Sequence, residues 1–498
     1  MKRGVLREPL DQELKDLQIL PELTRWRDEF FEPFMQITLA HMVMMVKTGN
    51  LTLEIGREVL NALRCGLEQG PSWLPMDPGL EDLFFNIEEG MRRRFSQRAG
   101  DHMQTARSRN DLYATAARLV VRKKIIELGS ALCRLRKGLL SKAREYGQVI
   151  MPGYTHLQQA QTITFGHYLL GCAEALDRDS QRLIASYQRV NLCPLGAGAL
   201  AGTSFQIDRA LTARLLGFEG LVENSVDAIA ARDCLLEPLA ALSIMANNLS
   251  RMGNDLYLLA SAEFGMVSLP DTLVITSSMM PQKRNPVTLE YLKAKCSRVE
   301  AAYDCCWSIL KSAPFGQSSE VTGEVWVVAS EGLEQARDVL DLGRLTIDGL
   351  QANRDRMLAA AEASRIATTD LAEWIVQEFD VPFRQAHELV AVAVGLCEDE
   401  GIRSGLPSEQ FLNRGAELVL GHALDLPPGI ELRFSPRAVL EKKASLGSPS
   451  SAEISRMLKH LEARLEQDCK TVERWAESLA EAGNVLDQQV DELLQTWR

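Results

Sequence analysis

An all-α fold built on a bundle of long helices is what this sequence predicts, and three observations predict it. The chain is rich in Ala, Leu and Glu while aromatic residues make up only 6% of it, a balance that favours helices over sheets. Three long stretches carry apolar residues at helical spacing: Leu112, Ala116, Leu119, Ile126, Leu132, Leu135 and Leu139; Leu235, Leu239, Leu242, Leu249, Met252, Leu256 and Leu259; and Leu289, Leu292, Cys296, Val299, Cys306 and Leu310. At 498 residues the chain has material for about three domains and a large core. Helices of this length bury their stripes on one another, so a bundle is the natural architecture, and self-association through it is expected.

Residues 1–104 read as an N-terminal helical domain, broken at Gly49-Asn50 and again from Gly70-Pro71 to Gly79. Residues 105–362 hold the three long patterns and form the predicted central bundle domain. Residues 363–498 read as a C-terminal helical domain, with a new block near Ile366, a turn-rich stretch at Leu426-Pro427-Pro428-Gly429 and a terminal helical extension. In that extension Ile454, Leu458, Leu461, Leu465, Cys469, Val472, Trp475 and Leu479 recur near a 3.5-residue spacing. So brief a repeat favours a packing helix lying on its own domain over a coiled coil.

Against 67 acidic residues stand 55 basic ones, a net charge of −12, so nucleic acid and anionic membranes are not expected partners. An anionic small-molecule ligand would need a locally basic pocket. The first residues, MKRGVLREPLDQELKD, place charges where a signal peptide needs an apolar core, and no apolar run reaches the roughly 18 residues that cross a bilayer. A cytoplasmic protein is expected. Ten cysteines are scattered without CxxC pairs, most of them in helical patterns where they read as buried free thiols, and seven histidines without an HExxH pair give a metal site no local support.

Polar islands interrupt the helical frame. Ser277-Ser278-Met279-Met280-Pro281-Gln282-Lys283-Arg284-Asn285-Pro286 gathers hydroxyls, cations and an amide in a loop before a helix. Asn285 is expected to cap that helix and Pro286 to occupy its first turn, so the loop reads as anion-handling. Thr105-Ala106-Arg107-Ser108-Arg109-Asn110-Asp111 sits at the start of the first long helix. Met151-Pro152-Gly153-Tyr154-Thr155-His156-Leu157-Gln158 is a Pro-Gly turn carrying a hydroxyl and a histidine. Pro194-Leu195-Gly196-Ala197-Gly198-Ala199-Leu200-Ala201-Gly202-Thr203 permits close ligand approach, but without a strand before it or a GKS/T ending it is not a nucleotide loop, and no cofactor is expected. Asn224-Ser225-Val226-Asp227-Ala228 and Arg232-Asp233 precede the second long helix.

In order and wording these islands resemble the fumarase/aspartase superfamily and, within it, argininosuccinate lyase. The family loop G-S-S-x-M-P-x-K-x-N is similar to Thr276 through Asn285, with only the leading glycine replaced. R-S-R-N-D, M-P-G-Y-T-H-L-Q, P-L-G-x-G-A-L-A-G-T and D-L-A-x-x-x-V, the last at Asp370 to Val376, are also present. The resemblance spans roughly residues 30 to 460. It implies a three-domain, mostly helical homotetramer whose active sites are assembled from three subunits and which releases fumarate by breaking a C–N or C–O bond. It further implies Ser277 as general base, His156 as the acid for the departing nitrogen, Glu290 as the carboxylate orienting it, and Lys283 and Asn285 as stabilisers of the carbanion. By the same resemblance Ser108, Arg109, Asn110 and Thr155 hold the substrate's carboxylates, Thr38 falls at the position of a substrate-contacting serine, and Ser278 and Asn285 are substrate-binding.

The departures from the lyase lie elsewhere. The family's H-T-G is Gln104-Thr105-Ala106, its E-D-I-H-M-N-I-E is Glu81 through Glu88, and its W-G-G-R-F is absent. Its Y-N-K-D-x-Q-E-D-K-E, which contacts the arginine-derived half of the substrate, corresponds to Pro314 through Gly323, where the tyrosine, glutamine and lysine are gone. Losing hydrogen-bonding partners for one amine shifts or relaxes the leaving group.

Overall fold

The computed structural model describes residues 8–495, and most of them are helical. The N-terminal part supplies α1 (Leu20–Lys47), α2 (Leu53–Glu68) and α3 (Leu83–Arg94). Thr48-Gly49-Asn50 turns the chain after α1, and Asp82 caps α3 by accepting from the Phe85 N–H at 2.9 Å.

Five long helices make the frame: α4 (Arg109–Glu145), α5 (Phe165–Val190), α6 (Asp233–Leu259), α7 (Val287–Leu310) and α8 (Val325–Gly349). Polar contacts fix their directions. Arg118 near the start of α4 donates to the Arg189 carbonyl near the end of α5 at 2.7 Å, and Tyr168 near the start of α5 reaches Asp255 near the end of α6 at 3.0 Å. Tyr257 at the end of α6 meets Glu290 at the start of α7, and Cys306 at the end of α7 meets the Val325 carbonyl at the start of α8. Each helix therefore runs antiparallel to the next. The apolar stripes read from the sequence face inward, with Leu112, Leu135, Leu139, Leu239, Leu242, Leu292 and Val299 at 0–1% exposure.

One feature differs from expectation. The terminal helix α12 (Ser451–Gln495) does not lie on its own domain. It runs along α4 and α5, with Trp475 stacked on Tyr187 at 3.9 Å and Val472 against Gly129. The cause is ionic as well as apolar. Arg136 of α4, 2% exposed, donates to Asp177 of α5 and to Asp468 of α12 at 2.5 Å each, and Arg464 closes the network on Asp177 at 2.7 Å. Residues 367–439, with α9 (Thr368–Phe379), α10 (Phe383–Asp399) and α11 (Glu409–Leu420), keep a separate core around Leu371, Leu389 and Leu412.

Among the described residues no helix is long and apolar enough to cross a membrane. None of their His, Cys, Asp and Glu side chains form a group that could hold a metal ion.

Candidate active site

The island at 105–111 is built by helix-end chemistry. Ser108 caps α4 in a capping box with Asp111, its hydroxyl accepting from the Asn110 N–H at 3.3 Å while Asp111 accepts from the Ser108 N–H at 3.1 Å. Asp111 is buried and also accepts from Gly196 and Gly198, both at 3.0 Å, which ties the glycine-rich loop to this helix end. Gly198 has φ +61, and a Cβ on it would lie 2.5 Å from the Gly202 carbonyl, so only glycine fits. Asn110 donates to the Ala199 carbonyl at 2.9 Å. Arg109 donates to Asp82 at 2.6 Å with its guanidinium 4.4 Å from the Phe85 ring centre.

Behind this surface lies a buried layer the motif does not announce. Arg107 donates to Thr38 at 3.2 Å and to the Met103 carbonyl at 3.0 Å, and His41 Nε2–H donates to the Thr105 carbonyl at 2.8 Å. Burial holds Asp111 up to about 6, Arg107 down to about 10 and His41 down to about 3. Thr38 is 1% exposed, donates its hydroxyl to the Phe34 carbonyl at 2.7 Å and accepts from Arg107, so it holds that guanidinium in place.

Thr155 and His156 lie at the opposite end of α4. The expected Pro-Gly turn is a β-hairpin, β1 (Ile150–Thr155) and β2 (Gln158–Thr164), whose tip residues His156 and Leu157 take φ of 54° and 59°. Both Thr155 and His156 are exposed, on the rim of a cleft of about 800 Å³ bounded by Tyr168, Asp255 and Phe264.

The 277–286 loop is closed by a short ladder in which β3 (Ile275–Thr276) pairs with β4 (Arg284–Asn285). Arg284 anchors it through an ion pair with Asp271 and a 3.0 Å bond to the Leu269 carbonyl. Ser277 Oγ accepts from the N–H groups of Met279 at 3.2 Å and Met280 at 3.0 Å. Ser278 and Lys283 are exposed. Asn285 does not cap the helix: it lies in β4, and α7 starts after Pro286 with no side-chain cap, because the ladder has already claimed the Asn285 backbone. Glu290, one turn into α7, accepts from Tyr257 at 3.4 Å.

The residues thus form two groups. Ser108, Arg109 and Asn110 gather at the start of α4, while Thr155, His156, Ser277, Ser278, Lys283, Asn285 and Glu290 gather at the other end of the bundle. The 37 residues of α4 separate them, about 55 Å at 1.5 Å per residue. Sequence reasoning missed Arg107, Asp111 and His41 as supports. The S-x-x-D spacing could have found Asp111, whereas the buried roles of Arg107 and His41 have no local signal.

A family model described as a lyase matches residues 86–300, and one described as an argininosuccinate lyase C-terminal region matches residues 365–417. The chain is 33% identical to argininosuccinate lyase 1 of Shouchella clausii over 491 residues, 98% of this chain and 99% of that protein. Among solved structures it is similar to EDDS lyase in complex with formate, with TM-score 0.88, 26% identity, and 98% and 97% of the two chains covered. An EDDS lyase variant with bound fumarate matches with the same TM-score and identity over 96% of each chain.

Proposed function

The chain belongs to the argininosuccinate lyase family of the fumarase/aspartase superfamily, and from that premise we propose that it eliminates fumarate from an N-substituted aspartate by base-catalysed β-elimination. One observation carries the reading: the Ser277 hydroxyl sits in the grip of two backbone N–H groups. A serine is a poor base at its ordinary acidity, and two N–H donors aimed at its oxygen favour the alkoxide that can take a proton.

Ser277 takes the proton from the carbon next to a carboxylate, which leaves an aci-carboxylate bearing extra negative charge. Lys283 and Asn285 stabilise that charge where it develops. The C–N bond then breaks, and His156, oriented by Glu290, gives the departing nitrogen its proton. Ser108, Arg109, Asn110 and Thr155 hold the carboxylates that become fumarate's. Arg109 already faces Asp82, so substrate binding divides its guanidinium between two anions.

Since a small-molecule site is about 10 Å across and the two groups lie at opposite ends of the bundle, the reading requires subunits to pool their residues, in the homotetramer that the resemblance implies. A second reading, argininosuccinate lyase itself, is favoured by the identity to the named relatives, whereas the altered segment 314–323 favours a different amine. Fumarate absorbance is followed with argininosuccinate and with other N-succinyl amines. Efficient turnover of argininosuccinate and rescue of an arginine auxotroph would select the second reading, and no fumarate from any substrate would end both.

A further inference from the structure

Arg232 stands immediately before α6, 6% exposed, and its guanidinium meets only uncharged acceptors. It donates to the carbonyls of Ile229 at 3.1 Å, Ala231 at 2.8 Å and Val321 at 2.8 Å, and to Gln317 Oε1 at 3.3 Å. Among the described residues no carboxylate forms an ion pair with it, and neighbouring Asp233 turns its own oxygen to the Cys234 N–H at 2.8 Å. A buried guanidinium whose hydrogen bonds all go to uncharged acceptors is costly, which points to a use.

Two of the four acceptors belong to the segment 314–323. The same end of the bundle carries Asn110, and the connection is continuous. Arg232 holds Ile229 of the short helix Ser225–Ala230, Ser225 donates to the Leu200 carbonyl at 2.7 Å, and the adjoining Ala199 carbonyl accepts from Asn110. Gln317 is therefore mounted on the scaffold that holds the carboxylate-binding residues. Its orientation follows from donor inventory. A guanidinium has five donors and no acceptor, so the amide oxygen must face Arg232 and the N–H₂ must face away.

We propose that Arg232 is a positioning residue for leaving-group selectivity: by holding the Gln317 oxygen it leaves the carboxamide N–H₂ for the amine half of the substrate. The leaving group selected is an amine that carries a hydrogen-bond acceptor, a carboxylate above all, over one that offers this point only guanidinium donors. The inference rests on the elimination reading and on segment 314–323 facing the amine.

The addition direction separates the two substrate halves. Fumarate consumption is measured with glycine, methylamine and methylguanidine, giving a KM for fumarate and a kcat/KM for each amine. Wild type should prefer glycine to methylamine by at least about tenfold, the worth of one charge-assisted contact. Gln317→Leu and Arg232→Lys should bring that ratio to about one with the KM for fumarate unchanged, and Gln317→Glu should shift preference toward methylguanidine. A ratio that survives Gln317→Leu, or a KM for fumarate that rises in step with the loss, would overturn the positioning role. Fumarate consumption with none of the amines would overturn the elimination reading along with it.

Discussion

If the two groups of site residues lie about 55 Å apart in one chain, they serve one reaction only by meeting across subunits, and that has an arithmetic consequence. Asn110→Ala removes a residue from the start of α4, and Ser277→Ala removes one from the other end of the bundle. Each variant alone forms an assembly in which every site lacks one residue. When equal amounts are unfolded and reassembled together, each site draws its Asn110 and its Ser277 from different chains. About one site in four then receives both intact, so the mixture should regain about a quarter of wild-type specific activity. The assay is fumarate absorbance after mixing, with each variant refolded alone as the baseline. Were both residues supplied by the same chain, every site would keep one defect. Activity no higher than the parents, in mixtures shown to contain hybrid assemblies, would refute the split-site reasoning.

Other outcomes follow from individual contacts. Ser277→Ala and His156→Asn should each keep the assembly and lower turnover by at least about a hundredfold, and wild-type rates for Ser277→Ala would reassign the base. Buried His41 has a folded value of about 3, below its unfolded 6.5, so the unfolded chain takes the proton first. Its contribution is complete above pH 6.5 and falls as pH drops toward 3, by about 2 kcal/mol at pH 5. Glu22, near 7, and Asp111, near 6, act with the opposite sign, since their native carboxyls take protons first and gain stability on acidification. Denaturant titrations of wild type and His41→Gln share those two groups, so the difference between their acid limbs reports His41, and identical limbs would refute its burial as a neutral ring. Gly198→Ala should lose about 1–3 kcal/mol of stability and depress turnover through Asn110, because its Cβ would meet the Gly202 carbonyl at 2.5 Å. Gly202→Ala, whose Cβ meets nothing within 4 Å, should cost less by thermal denaturation.

The long helices were legible because their stripes are one-sided, and Leu112 to Leu139, Leu235 to Leu259 and Leu289 to Leu310 all pack inward. What periodicity cannot name is the partner. The stripe at Ile454 to Leu479 says that α12 packs, but its place along α4 depends on Arg136, Asp177, Arg464 and Asp468, which in the sequence look like ordinary solvated charges. The hairpin at 150–164 was hidden by its Pro and Gly, which signal a turn whether or not strands flank it. Asn285 has the residue type of a cap, yet a backbone ladder with Ile275 took precedence over side-chain preference. Thr38 falls at the position of a substrate-contacting residue by resemblance, and its bond from Arg107 is a contact that no local pattern announces.

The partition of the site was nevertheless present in the order of the islands. In an up-and-down bundle each long helix carries the chain from one end to the other, so successive islands must alternate between ends. Residues 105–111 begin at one end, α4 delivers 151–158 to the other, and α5 returns the chain to 194–203 and 224–233. Helix α6 then leads to 277–286, and α7 brings back 314–323. The assignment agrees with every cross-contact: Asp111 with Gly196 and Gly198, Ser225 with Leu200 and Arg232 with Val321 at one end, Tyr154 with Phe264 and Tyr257 with Glu290 at the other. The proposed base and acid therefore share an end with each other and not with the helix start proposed to bind the carboxylates. The segment proposed to face the amine shares its end with that helix start. Within one chain, the residues proposed to choose the substrate stand at one pole of the bundle and those proposed to break its bond at the other, so the proposed function requires association to bring choice and chemistry into one site.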